Sequence, residues 1–216
     1  MRRRLRKRPE MSEPAADLEL AKRTLRLEAQ AISVLAGQIG ESFAEAARAV
    51  FQCRGKVILT GIGKAGIIAR KISATLASTG TQSIFLHPVE ALHGDLGRVQ
   101  AGDVVVALSH SGDTEELVRL IDHIKSRRAT LIAVTSTGES ALGRHADIAI
   151  GYGRVEEACP LGLAPTVSTS CMLALGDALA ATVMTMRSFT PEEFASFHPA
   201  GALGRRLLKV EGGMTS

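Results

Sequence analysis

The 216-residue sequence predicts an α/β fold, a doubly wound parallel sheet of about five strands with helices on both faces. Short apolar runs recur along the middle of the chain, KVILTG, QSIFLH, DVVVALS, TLIAVTS and DIAIGY, separated by turns and helical spacing. Each run is apolar throughout instead of alternating, which is what a strand covered on both faces requires. A chain of this length with 45% hydrophobic residues can bury one full core, so one domain with short extensions is expected.

In chain order, the first ten residues, MRRRLRKRPE, hold six basic residues and one acid. The remainder carries 20 basic and 21 acidic residues, so the formal charge of +4 belongs to the tail. Residues 1–13 therefore read as a basic, flexible tail and not as part of a nucleic-acid surface. The absence of Trp and the 3% aromatic content also leave no stacking platform for single strands. The following EMSEPAADLE has no apolar stretch of the kind an export signal needs, so a cytoplasmic protein is expected.

Leu18, Ala21, Leu25, Ile32, Leu35 and Ile39 alternate three- and four-residue steps, broken at Glu28, which predicts an amphipathic helix over 14–36 and a second over 38–53. ELVRLIDHIK after the third strand has helical spacing, and a long helix is expected from Thr166 to Arg187. The apolar stretch CMLALGDALAATVMTM inside it is interrupted by Asp177 and is too short for a membrane span. A last helix is expected after the N-cap Thr190, with Pro191 at its first position and acids in its first turn. Cys53, Cys159 and Cys171 are odd in number and scattered, so they read as packing residues and form neither a disulfide framework nor a metal clip.

Two strand ends carry chemistry. Gly61-Ile62-Gly63-Lys64-Ala65-Gly66 matches G-x-G-x-x-G, yet the second strand, QSIFL, ends in His87-Pro88 where a dinucleotide fold places its ribose-binding acid. Nor does a Walker A loop read around Gly63-Lys64. What survives is general: glycines at a strand-to-helix turn let backbone N–H groups approach an anion. The third strand ends in Ser109-His110-Ser111-Gly112-Asp113-Thr114, where short hydroxyl side chains gather at a helix start. Both a helix cap and a phosphate cradle need those residues. Two such turns at the carboxyl ends of parallel strands favour the cradle, because ligands of open α/β sheets bind there.

GIGKAG, ASTGTQSIFLHPVEALHGDLG, SHSGDTEE, EEACPLGLAPT and FHPAGALGRRLL, in this order, resemble the sugar-isomerase (SIS) domain family and within it the arabinose-5-phosphate isomerases. The resemblance covers residues 14–208 and implies a flavodoxin-like sheet. It also implies interconversion of D-ribulose 5-phosphate and D-arabinose 5-phosphate for Kdo and lipopolysaccharide synthesis. Many relatives continue into a pair of CBS domains, so residues 209–216 read as a remnant at that boundary. By similarity the catalytic residues are Lys64, Glu116, Glu157 and His198: a base, an electrophile and groups that shuttle hydroxyl protons are what such an isomerase needs. Glu157 precedes Ala158-Cys159-Pro160-Leu161-Gly162, which reads as a loop and not a helix face, so it can project into the site.

Resemblance likewise assigns substrate binding to Gly80, Thr81, His87 and His93, beside Ser109, Ser111 and Thr114, and makes His87 an optional zinc ligand. From spacing alone His87 and His93 do not form a helical zinc pair, and the chemistry requires no cofactor. His110, His123 and His145 read as ordinary surface or turn residues. The N-terminal helices and LALGDALAATVM offer more apolar face than one sheet covers, so a homotetramer, or a dimer, is expected. Two rival readings are a phosphosugar-sensing module without catalysis and an isomerase of another ketose phosphate.

Overall fold

The computed structural model describes residues 16–199. The basic tail, the 209–216 remnant and most of FHPAGALGRRLL lie outside the described residues. Five strands form one parallel sheet: β1 (Val57–Gly61), β2 (Ser83–Phe85), β3 (Val104–Leu108), β4 (Thr130–Thr135) and β5 (Ile148–Gly151). Their order is β2-β1-β3-β4-β5, so the topology reverses between β1 and β3. Such a reversal opens a crevice at the carboxyl ends of the strands.

The two-residue period of a strand divides the core into two layers. Val57, Leu59, Val104, Val106 and Ile132 face one side, where helices α1 (Leu18–Gln38), α2 (Glu41–Gln52) and α3 (Gly63–Ser78) pack. Ile58, Val105, Ala107, Leu131 and Ala133 face the other, beneath α4 (Pro88–Leu92), α5 (Glu115–Val118), α6 (Ile121–Ser126) and α7 (Ala141–His145). Because both faces are covered, β1 and β3 are buried along their whole length.

The first layer is completed by α8 (Val167–Met186), whose Cys171, Met172, Leu175, Leu179 and Val183 are buried in it. By length and composition α8 could cross a membrane, yet here it is a core helix. The final helix, α9 (Pro191–Phe197), begins as expected: Thr190 and Glu193 form a reciprocal capping box and Pro191 stands at the start.

Two elements differ from expectation. ELVRLIDHIK does not make one helix but splits into α5 and α6, because the Leu120 N–H bonds back to Leu117 and tightens the chain there. Its apolar spacing survives the break, since Leu117, Leu120, Ile121 and Ile124 are all buried. In α1 the helix is present, but most of its sequence-read stripe points outward: Leu18, Leu25, Ile32 and Ile39 are exposed. The core layer is met instead by Leu27, Ala31 and Leu35, with α1 lying against α8.

At the amino end of the sheet Asp103, only 2% exposed, locks β3 to the start of β1. One carboxylate oxygen accepts from the Lys56 N–H at 2.9 Å; the other accepts from Lys56 Nζ at 2.8 Å and the Gln100 N–H at 2.9 Å. Burial pushes this carboxyl up, but the Lys56 and Gln100 bonds outweigh it and hold the group below its ordinary value. Asp103→Ala should therefore cost about 3 kcal/mol in urea unfolding at neutral pH, since it strands a mostly buried lysine. A depressed folded value means that the stabilisation is present above the unfolded value of about 3.9 and is lost as pH falls through the folded one. The gap between variant and wild type should thus close in strong acid, and a gap constant with pH would contradict the assignment.

Candidate active site

The turn from β1 into α3 shows what the three glycines do. Gly63 has φ +59°, and a Cβ on Gly66 would stand 2.6 Å from the Gly61 carbonyl, so α3 can lie directly against the end of its strand. No side chain caps this helix start. Ile62, Lys64 and Ala65 instead line a cavity of about 270 Å³ at the carboxyl end of the sheet. The Lys64 ammonium makes no ion pair or hydrogen bond among the described residues.

Across that cavity lies the Ser/Thr turn. Ser109 is buried; its Oγ lies 2.8 Å from Thr114 Oγ1 and accepts the Gly112 N–H at 3.0 Å. Ser111 Oγ accepts the Asp113 N–H at 3.2 Å. Gly112, with φ +69°, is irreplaceable here because a Cβ would fall 2.0 Å from Ser140 Oγ. The loop is pinned from outside by α7, whose Leu142 N–H reaches the Gly112 carbonyl and whose Ala141 N–H reaches Asp113 Oδ1, both at 2.9 Å. Thr114 is the N-cap of α5, yet its hydroxyl caps nothing and turns to Ser109.

Ser168 and Thr169, from the first turn of α8, complete the cavity wall together with His110. Sequence reasoning missed all three. The run Thr166-Val167-Ser168-Thr169-Ser170 at the head of an apolar helix was the available signal for the two hydroxyls.

A larger cavity of about 810 Å³ adjoins the first, sharing His110, Pro165 and Ser168 with it. Glu157 lines it as an anchored group. Its Oε2 accepts from the Thr166 N–H at 2.7 Å, Thr166 Oγ1 at 2.9 Å and the Ser168 N–H at 3.4 Å, so it caps α8. Burial raises this carboxyl, while the bonds from Ser168 and Thr166 prevail and hold it below the ordinary glutamate value. Cys159 lies on the same wall, its thiol pulled down by the backbone N–H groups of Ala164, Leu161 and Leu163. Arg23 of α1 lines the same cavity.

The remaining expected residues are dispersed. Glu116, half-buried on α5, lines neither cavity. His87 follows β2 at the carboxyl edge; its Nδ1 is buried without a hydrogen-bond partner, and His93, five residues of α4 later, is exposed. No group of three or more His, Cys, Asp or Glu among the described residues could hold a metal ion. Among the described residues of one chain, His87 therefore has no set of companion ligands for a metal.

Gly80 and Thr81 lie at the opposite end of the sheet, before β2 begins. Gly80 has φ +86° and would place a Cβ 2.6 Å from the Phe189 ring; buried Thr81 accepts from Arg187 Nε at 3.1 Å. Arg187 follows α8, and that helix of 20 residues sets it roughly 30 Å from Ser168. His198 is at this far end too, since Phe197 stacks on Phe189 with ring centroids 5.8 Å apart. Its Nδ1–H donates to the Phe194 carbonyl at 2.8 Å, which leaves Nε2 as an acceptor. One chain therefore gathers Lys64, Ser109, Ser111 and Thr114, with Glu157 adjacent, and keeps Gly80, Thr81 and His198 apart from them.

The fold and this cavity define a doubly wound α/β protein with a crevice, lined by hydroxyls and an ammonium, where α3, α5 and α8 begin. The chain belongs to the SIS domain family, whose pattern matches residues 50–182. It is 47% identical over 197 residues to the arabinose 5-phosphate isomerase KdsD of Yersinia pestis, covering 91% of this chain and 60% of that protein. The Pseudomonas aeruginosa KdsD is 48% identical over 202 residues, or 93% and 62% of the two chains. This chain thus spans about 60% of the length of these relatives. Among solved structures, Escherichia coli CFT073 c3406 in complex with arabinose 5-phosphate superposes with a TM-score of 0.81 at 38% identity, covering 84% of this chain and 97% of that one.

Proposed function

We propose that the protein is a cytoplasmic aldose-ketose isomerase that interconverts D-ribulose 5-phosphate and D-arabinose 5-phosphate, serving Kdo and lipopolysaccharide synthesis. The observation that carries this reading is the pair of joined cavities: hydroxyls and a free ammonium line one, and an anchored carboxylate lines the other. The names of the relatives and the sugar phosphate bound to the E. coli protein support the choice of sugar.

In this reading the phosphate sits against Ser109, Ser111 and Thr114. In the aldose direction of entry, Glu157 removes the proton from C2 and the electron pair forms the C1–C2 double bond. Lys64 offsets the charge gathering on the carbonyl oxygen, and the Glu157 carboxyl, whose proton exchanges with solvent at the enediolate stage, delivers a proton to C1 as O2 becomes the ketone. His198 relays the hydroxyl proton from O2 to O1. Since His198, Gly80 and Thr81 are remote within one chain, neighbouring copies in a homotetramer or dimer supply them. The outward apolar stripe on α1 supports such packing.

NMR of ribulose 5-phosphate incubated with the protein in D₂O tests the proposal. Arabinose 5-phosphate bearing deuterium at C2 is the expected product. Binding without turnover would instead make the protein a phosphosugar sensor, and turnover of a different ketose phosphate alone would move the substrate assignment.

A further inference from the structure

His110 and Tyr152 are 42 residues apart in the sequence, on the ends of β3 and β5, yet His110 Nδ1 lies 2.7 Å from the Tyr152 hydroxyl. Both backbones are tied to the end of β4 between them. The Ser136 N–H bonds to the His110 carbonyl and the Tyr152 N–H to the Thr135 carbonyl, each at 3.0 Å. The imidazole stands between Ser109 and Ser111 and is shared by both cavities, whereas Tyr152 is buried behind it at 2% exposure.

The chemistry of this pair fixes which ring nitrogen carries the proton. Among the described residues the Tyr152 hydroxyl has no partner other than His110 Nδ1. Were Nδ1 protonated, the phenol oxygen would accept and its own hydrogen would be buried with nowhere to go, which is costly. The phenol therefore donates, Nδ1 accepts, and the ring hydrogen is on Nε2. Burial above all, then the nearby Cys171 and Glu157, push the Tyr152 phenol well above its ordinary value, so it keeps the proton that it donates.

We propose that His110 is a substrate contact and Tyr152 its positioning residue: Tyr152 holds the imidazole as a neutral donor whose Nε2–H binds the phosphoryl oxygens in the Ser109–Thr114 cradle. This deepens the phosphosugar reading and rests on it. A donor with one fixed hydrogen adds direction to a cradle otherwise made of rotatable hydroxyls, and so favours a phosphoryl group over a planar carboxylate.

Two measurements on the whole chain test it. Long-range ¹H–¹⁵N NMR of the histidine rings should show His110 as the Nε2–H tautomer, with the Nε2–H signal moving on titration with inorganic phosphate. In Tyr152→Phe the ring should become a mixture of tautomers. In steady-state assays His110→Leu should raise KM for the phosphosugar about tenfold, with most of the loss in KM and not in kcat. His110→Gln, whose amide N–H reaches a similar place, should restore most of the affinity. An Nδ1–H tautomer in the wild-type protein, or phosphate that shifts Ser109 and Thr114 while His110 stays still, overturns the proposal. A catalytically inert protein whose His110 signal still moves with phosphate would sink the isomerase reading and uphold this contact.

Discussion

Lys64→Met is expected to lower kcat for ribulose 5-phosphate by about 10²–10³ while leaving the fold intact, because it removes the one ammonium that lines the smaller cavity among the described residues. Lys64 is exposed and has no partner among the described residues, so its loss strands no buried group; stability should stay within about 0.5 kcal/mol of wild type. The division between kcat and KM is the informative readout. An ammonium that acts on the enediolate oxygen is felt in the transition state, so kcat and kcat/KM should fall together. An ammonium that only neutralises the phosphate binds ground state and transition state alike, and its removal would raise KM at constant kcat. Stopped-flow or coupled assays over a full substrate range separate the two. A KM-only effect would transfer Lys64 from the reacting end to the phosphate end and leave the electrophile unassigned.

The sheet was legible because burial on both faces leaves a coarse mark, short continuous runs rich in β-branched residues such as DVVVAL, bounded by turns. The Ser109–Thr114 turn was legible for a similar reason: its hydroxyls and glycine are contiguous, and their contacts, Ser109 to Thr114 and to Gly112, are local. Long-range geometry left no such mark. His110 reads as a surface residue until the order β3-β4-β5 brings Tyr152 beside it, one strand beyond its own neighbour. Resemblance named Gly80, Thr81 and His198 alongside Lys64 without showing that the length of α8 separates them in one chain. The stripe Leu18–Leu25–Ile32–Ile39 correctly marked a helix, but periodicity cannot tell a face that meets the sheet from one left outside it.

Glu157→Gln is the second large effect, and its anchoring makes it a clean test. The glutamine carbonyl can still accept the Thr166 N–H, so the cap on α8 persists in neutral form and the loss of stability should be about 1 kcal/mol, the charge-dipole part of the interaction. Basicity, however, disappears, and turnover should fall by about 10²–10⁴. Stability and activity are thereby decoupled at one residue. The pH profile adds a sign. The Thr166 and Ser168 bonds hold this carboxyl below its ordinary value, so the ionised form needed to accept the C2 proton persists into acid. The acid limb of kcat/KM should therefore fall below the usual glutamate value of about 4.3. By linkage, the stability that Glu157 contributes is present above its unfolded value and is lost as pH drops through the lower folded one. Proton exchange between C1 or C2 and solvent decides the role: if Glu157→Gln washes the proton out at the wild-type rate, its carboxylate is a helix cap alone and the base must be sought elsewhere, first at Nε2 of a neighbouring copy's imidazole.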